Sequence, residues 1–120
     1  MNKNIFGENL EVCGLEPLTG YFRNGCCDTD SSDAGLHTVC VIVTEEFLYN
    51  SKLNGNDLTT PVPEWGFPGL KVGDKWCLCA TRWRHAQENG YAPNVVLEAT
   101  NDKTLSIISA ETLIKFSHTK

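Results

Sequence analysis

Residues His37 to Val43 read His-Thr-Val-Cys-Val-Ile-Val, nearly all apolar or β-branched, which predicts a strand covered on both faces. Thr44 follows as an N-cap, Glu45 and Glu46 fill a first turn where the helix dipole favours acids, and Phe47 and Leu48 give an inward face. That helix is expected to stop by Asn54-Gly55. The pattern returns at Trp76-Cys77-Leu78-Cys79-Ala80-Thr81. Here Lys75 to Ala80 reads as a second strand, Thr81 stands where Thr44 stood, and a short helix from Arg82 to Asn89 closes on Gly90. Val95 to Thr100 and Leu105 to Ile108 predict two strands around an Asn101-Asp102-Lys103 turn. Ser109 is placed to cap a last helix whose Leu113 and Phe116 face inward, while Lys115 and His118 complement its C-terminal dipole.

Between these elements the composition is that of loops. From Gly14 to Leu36 come Pro17, Gly20, Asn24-Gly25 and an Asp/Ser-rich run, with a short strand expected around Tyr21 to Arg23. Residues 56 to 74 carry Pro61, Pro63 and Pro68 among Gly66, Gly69 and Gly73, which disfavours a regular element. Loops of that length are usually functional or disordered, and Trp65, Phe67 and Leu70 argue that this one is packed. Strands separated by short helices, plus a hairpin, give an α+β fold: short helices on a mixed or antiparallel sheet, with long ordered loops. At 120 residues the chain suits one domain, residues 1–120 with a core from about 4 to 117, because two cores of this size would each be marginal.

Charge narrows the partners. With a net charge of −5, no long-range field recruits polyanions, so neither nucleic acid nor an anionic membrane is expected. The charge is uneven: between residues 28 and 64 seven acids face only Lys52, whereas between 65 and 90 four cations outnumber two acids. Packed together, the acidic loops would meet the basic corner. The start, Met-Asn-Lys-Asn-Ile-Phe-Gly, holds no apolar run of signal length, and no later run approaches a membrane span. A cytoplasmic protein is therefore expected.

In a secreted chain six cysteines would read as a disulfide framework. In a reducing compartment they read instead as buried thiols, metal ligands or a reactive site. Cys77 and Cys79 alternate with Trp76, Leu78 and Ala80, so both thiols leave a strand on one face, about 7 Å apart at the backbone. With Cys40, and with His37, Cys26 or Cys27, they would complete a tetrahedral zinc site. The spacing lacks the paired C-x2-C of zinc ribbons, so no cofactor is the favoured reading and zinc the alternative. For the vicinal Cys26-Cys27, one buried and one incidental thiol is preferred over a strained mutual disulfide. Cys79, near Arg82 and His85, is a conceivable nucleophile whose base the sequence does not identify.

Arg82 and Arg84, placed in a first helical turn, oppose the dipole at roughly 0.3–1 kcal/mol each. They therefore pair with acids or bind an anion, and pairing with the acidic loop is slightly favoured. The run Asp28 to Gly35 fails the EF-hand pattern twice, with Asp33 at the glycine position and Val39 at the glutamate position. Its acids read as a solvated turn, or together with His37 as a polar site. Asn56, Asp57 and Glu64 lie in the proline-rich loop, where such side chains often satisfy their own backbone.

Taken in order, Pro17-Leu-Thr-Gly20-Tyr-Phe-Arg23, Gly25-Cys26-Cys27, Asp33-x-Gly35-x-His37-Thr-Val-Cys40, Gly55-Asn56-Asp57-Leu58, Thr60-Pro61-x-Pro63-Glu64, Phe67-Pro68-Gly69-Leu70, Gly73-Asp74 and Trp76-Cys77-Leu78-Cys79-Ala80-x-Arg82-Trp83 resemble a bacterial family of uncharacterised proteins, the domain of unknown function numbered 2237. The resemblance runs from about Asn4 to Leu113. It implies a small stand-alone α+β domain and directs attention to Arg23, Cys26, Cys27, Asp33, His37, Cys40, Asn56, Asp57, Glu64, Cys77, Cys79, Arg82 and Trp83. Two departures stand out: the pattern has an acid where His85 stands and a histidine where Asn101 stands. The family carries no activity, substrate or cofactor across.

The leading expectation is a binding module for a polar or anionic small ligand or a peptide, its site lying where the proline-rich loop meets the two strand-to-helix corners. Arg23, Asp33, His37, Asn56, Asp57, Glu64, Arg82 and Trp83 are its expected contacts, with Trp65, Trp76 or Trp83 as the apolar wall. The alternative is a thiol-dependent enzyme or zinc-binding protein using the clustered cysteines and His37. A third reading is a structural subunit that docks on another protein through Pro63 to Leu70.

Overall fold

The computed structural model, which describes residues 2–118, turns the first apolar run into β1 (His37–Ile42). This is the central strand of a three-stranded antiparallel sheet, flanked by β2 (Lys75–Cys79) and β3 (Asn94–Val95). Three helices accompany it among the described residues: α1 (Glu45–Leu53), α2 (Ala80–Glu88) and α3 (Ala110–Lys115). The fold is α+β, as the element pattern predicts.

Both faces of β1 are covered, which is why its sequence carries no polar alternation. Val39 and Val41 stand opposite Leu78 and Trp76 and join Val43, Phe47, Trp83, Ala86 and Leu113 in the main core. Cys40 stands opposite Cys77 and lies with Cys13, Cys27 and Ala99 in a second buried cluster. At roughly 1.5–3 kcal/mol for each large apolar side chain fully buried, these layers hold the short ladder together.

The first strand-to-helix corner forms as its sequence predicts. Thr44 caps α1, its hydroxyl accepting from the Phe47 amide at 3.1 Å, and Glu45 and Glu46 occupy the first turn. Asn54 and Asn89 close α1 and α2, each side-chain amide donating to the carbonyl four residues back at 2.8 Å. Gly55 and Gly90 then take φ of 85° and 82°, where a side chain would be strained. Ser109 caps α3 by accepting from the Thr112 amide.

The second corner differs. α2 begins at Ala80, so Cys79 rather than Thr81 is the N-cap residue, and no side chain caps the helix. The Ala80 amide donates to Leu36 O at 3.0 Å, and this bond carries the strand straight into the helix. Thr81 is left with its hydroxyl 3.1 Å from Cys79 Sγ.

The expected hairpin over residues 95–108 does not form. β3 ends at Val95, and two 3-10 turns follow, Leu97–Ala99 and Asp102–Ser106. The cause lies in buried polar side chains that complete β1 in place of a ladder. Thr100 Oγ1 accepts from the Cys40 amide and the Thr104 and Thr38 hydroxyls meet at 2.7 Å, while the Asn101 backbone N–H donates to Thr38 O. Nor is there a strand at Tyr21 to Arg23, because positive φ at Gly20, Arg23 and Gly25 folds that stretch into turns. A Cβ on Gly20 would lie 2.4 Å from Cys26 O. In the proline-rich loop the one helical turn is Pro63–Trp65; Leu58 and Leu70 are buried in the main core, while Trp65 stays exposed.

The cysteines depart most from expectation. Cys13 bonds Cys40 and Cys27 bonds Cys77, leaving Cys26 and Cys79 free. These four are therefore disulfides, not buried thiols, and Cys27 pairs across the fold, not with its neighbour. The register accounts for it: Cys40 and Cys77 face each other on β1 and β2, and the preceding loop lays Cys13 and Cys27 against the same spot. The sulfurs of Cys13, Cys27 and Cys77 lie within 4.8 Å of one another.

Candidate functional site

A cavity of about 610 Å³ opens where the Gly20–Arg23 turn, the start of β1, the proline-rich loop, β2 and the first turn of α2 meet. Drug-sized ligands occupy cavities of roughly 300–1,000 Å³, so the volume suits a small organic molecule. Of the residues singled out from sequence, the cavity brings together Arg23, His37, Asn56, Asp57 and Arg82. Asp33 reaches it through His37. Glu64 is exposed on the 3-10 turn and does not line it. Trp83 has no exposed surface: its indole N–H donates to Pro93 O at 3.1 Å, and its ring meets Phe116 edge-on. The wall is built by Trp65, Trp76 and Phe67, the last two packed at 5.3 Å between centroids.

The cations are held in place. Arg23 sits at φ 55°, with its guanidinium 5.2 Å from the Trp76 ring centroid and Nη1 donating to Gly20 O. Leu36, just before His37, sits at φ 48°. For residues with a side chain this region costs roughly 1 kcal/mol or more, and both instances flank the cavity. Arg82 Nη1 donates to Asn54 O at 3.2 Å, and Arg84 turns to Ile107 O instead. Among the described residues Arg82 has no carboxylate partner, so the expected pairing of Arg82 with the acidic loop is not what forms. Asp57 lines the cavity, yet its carboxylate is spent on the loop, accepting from the hydroxyls and amides of Thr59 and Thr60. The Thr60 hydroxyl, then the Thr59 amide, hold it well below the usual carboxylate range.

His37 is oriented by a buried carboxylate. Its Nδ1 lies 2.7 Å from Oδ1 of Asp33, whose side chain is fully buried, while the imidazole stays partly exposed. Asp33 Oδ2 accepts from the His37 amide and the Thr29 hydroxyl, which fixes the carboxylate from its other side. A proton on Nδ1 leaves Nε2 as the acceptor of the neutral ring. Tyr21 stacks on the imidazole, and its hydroxyl donates to Ser32 O. The backbone of Gly35 underlies the ring; a Cβ there would lie 2.9 Å from Cε1.

Of the free cysteines, Cys79 lines the cavity and is the ladder partner of His37. Cys26 does not line it, and burial, then Asp28, push its thiol up from the ordinary value. The cysteines proposed from sequence as zinc ligands are divided. Cys27, Cys40 and Cys77 lie with Cys13 in one buried cluster and are bonded in pairs, while Cys26 and Cys79 stay free. Sequence reasoning passed over Cys13, Tyr21 and Phe67 as members of these groups, and only the aromatic character of the latter two hinted at a wall.

An α+β domain with a loop-walled cavity, in which a buried carboxylate fixes one histidine, is the class that this fold and site define. Over residues 3–117 the chain matches the family described as "Uncharacterized protein conserved in bacteria (DUF2237)", and it belongs to that family. Among curated proteins, none matches the chain. No helix among the described residues is long and apolar enough to cross a membrane.

Proposed function

We propose that the protein binds a small anion with an apolar body, a carboxylate- or phosphate-bearing molecule or the end of a peptide, in the cavity between the proline-rich loop and the two corners. The observation that carries this reading is the meeting of Arg23 and Arg82 with Trp65, Phe67 and Trp76 on one cavity, Arg82 having no carboxylate partner among the described residues. A guanidinium offers paired donors to an anion, and the indole faces take the apolar part. Titration of isotope-labelled protein with phenylacetate, benzoate and inorganic phosphate tests it. Saturable shifts of the Trp65 and Trp76 indole signals are expected, with affinity falling about tenfold in Arg82→Ala, as for loss of one charge-assisted hydrogen bond. The reading fails if none of the three anions gives saturable shifts, or if Arg82→Ala binds as well as the unaltered protein.

A second reading is favoured by one observation, the gathering of the Cys13, Cys27 and Cys77 sulfurs within 4.8 Å, with Cys40 bonded to Cys13. Four thiolates around zinc stand roughly 3.8 Å apart at the usual Zn–S distance. On reduction, we infer, this cluster holds zinc. Native mass spectrometry of reduced chain refolded with one equivalent of zinc should then show retained metal that Cys27→Ala/Cys77→Ala loses; equal retention by both would sink the idea. We keep the cytoplasm as the proposed compartment. The four bonded cysteines are at most 2% exposed, which slows their reduction by a dissolved thiol.

A further inference from the structure

We propose that Cys79 is a covalent nucleophile for an acyl group, with His37 as its base and Asp33 as the residue that positions His37. This rests on the anion-binding reading of the cavity and deepens it. Cys79 and His37 are partners across the antiparallel ladder, and both line the cavity. A register shift between His37 and Val39 sets this pair apart from the regular ladder, and the cavity that both residues line is the space in which the thiol and the imidazole meet as an ester enters. The imidazole is already oriented, since Nδ1 is committed to Asp33 and Nε2 is the acceptor that remains. The Thr81 hydroxyl, 3.1 Å from Cys79 Sγ, holds the sulfur at the mouth of α2.

That helix supplies the third requirement of acyl chemistry. α2 has nine residues and no side-chain cap, and of its first amides the Ala80 N–H is taken by Leu36 O. The amides of Thr81 and Arg82 fall in the first turn, where no intrahelical acceptor exists, and are available as oxyanion donors. Among the described residues the other sulfurs are excluded from this role: four are in disulfides, and Cys26 lies outside the cavity.

The reaction balances without a redox partner. As Cys79 Sγ bonds the carbonyl carbon of an ester or thioester, its proton passes to His37 Nε2. The tetrahedral oxyanion collapses, the bond to the leaving group breaks, and the leaving group takes the proton from the imidazolium. Water, losing a proton to His37, then cleaves the Cys79 thioester, releasing a carboxylic acid and restoring the thiol. Arg23 and Arg82 select acyl compounds that carry a second, anionic group.

The test uses the full chain with its disulfides intact, p-nitrophenyl acetate as a neutral probe and mono-p-nitrophenyl succinate as an anionic one. A burst of one equivalent of nitrophenolate is expected, with the acyl mass on the peptide holding Cys79, about 100-fold faster than on Cys26. His37→Asn keeps an amide donor toward Asp33 but removes Nε2, and should slow the burst about 100-fold. Asp33→Asn should lower the maximal burst rate and leave the half-saturating ester concentration unchanged, a split that a merely structural role would not give. Should His37→Asn fail to fold, Gly35→Ala displaces the same ring without removing a chemical group, and is also expected to slow the burst. Equal labelling of Cys79 and Cys26, or an unchanged burst in a folded His37→Asn or Gly35→Ala protein, overturns the proposal. Preference for the succinate over the acetate, lost in Arg82→Ala, reports on the anion-binding reading separately, so a fast burst without that preference overturns that reading alone.

Discussion

Cys27→Ala/Cys77→Ala is expected to lose about 4 kcal/mol of folding free energy under oxidising conditions, by the loop-entropy relation for a bridge spanning 50 residues. Cys13→Ala/Cys40→Ala, spanning 27 residues, should lose somewhat less, about 3.5 kcal/mol. A domain of this size has only about 5–15 kcal/mol to lose, so either variant becomes marginal. Urea unfolding with and without reductant checks this. Because the bridge acts largely by restricting the unfolded chain, the double variant should also show a steeper dependence on urea. A loss below about 1 kcal/mol, or an unaltered protein indifferent to reductant, would show that the bridges carry little of the stability.

Trp83→Ala is expected to cost about 3–5 kcal/mol, the range for emptying a fully buried indole site. Trp83 is completely buried, packs edge-on against Phe116 and satisfies Pro93 O. Trp83→Phe separates these contributions. It keeps most of the volume, removes the donor to Pro93 O, and should cost about 1–3 kcal/mol. Thermal melts of the two variants give the comparison. Since the indole does not border the cavity, Trp83→Phe should bind phenylacetate as the unaltered protein does; weakened binding in a folded protein would mean that the core and the cavity are coupled.

How far such features can be read from residues alone depends on how local their causes are. Thr44, the glutamates after it and the Asn-Gly pairs act within one turn of helix, and their consequences are visible in the text of the chain. Thr81 looked identical, but a bond from Ala80 to Leu36, over forty residues away, moved the start of the helix. The hairpin failed for the same kind of reason. Thr100 and Thr104 have good strand character, and their hydroxyls are claimed by Cys40 and Thr38 on a distant strand.

The cavity shows a similar division. Arg23, His37, Asn56, Asp57 and Arg82 draw notice as polar groups in loops or at a helix start, and the fold gathers them on one surface. What no spacing reveals is which sulfur pairs with which, because six cysteines permit many connectivities. The link between Asp33 and His37 was equally hidden, since four residues on an irregular loop carry no fixed geometry. Trp83 shows the converse: a large aromatic next to a cation invites a role at a site, and burial decides against it.

The hydroxyls that complete the sheet have a consequence for how these molecules meet one another. A three-stranded sheet ordinarily offers open backbone groups along its outer strands, which invite a strand from a second copy to add on. Here the Cys77 amide of β2 donates to Thr19, while beyond the short β3 the Cys40 amide and the Thr38 carbonyl are taken by Thr100 and Asn101. An approaching chain finds these bonds already made within the molecule, so at these positions the sheet offers no open backbone group for a second strand to take.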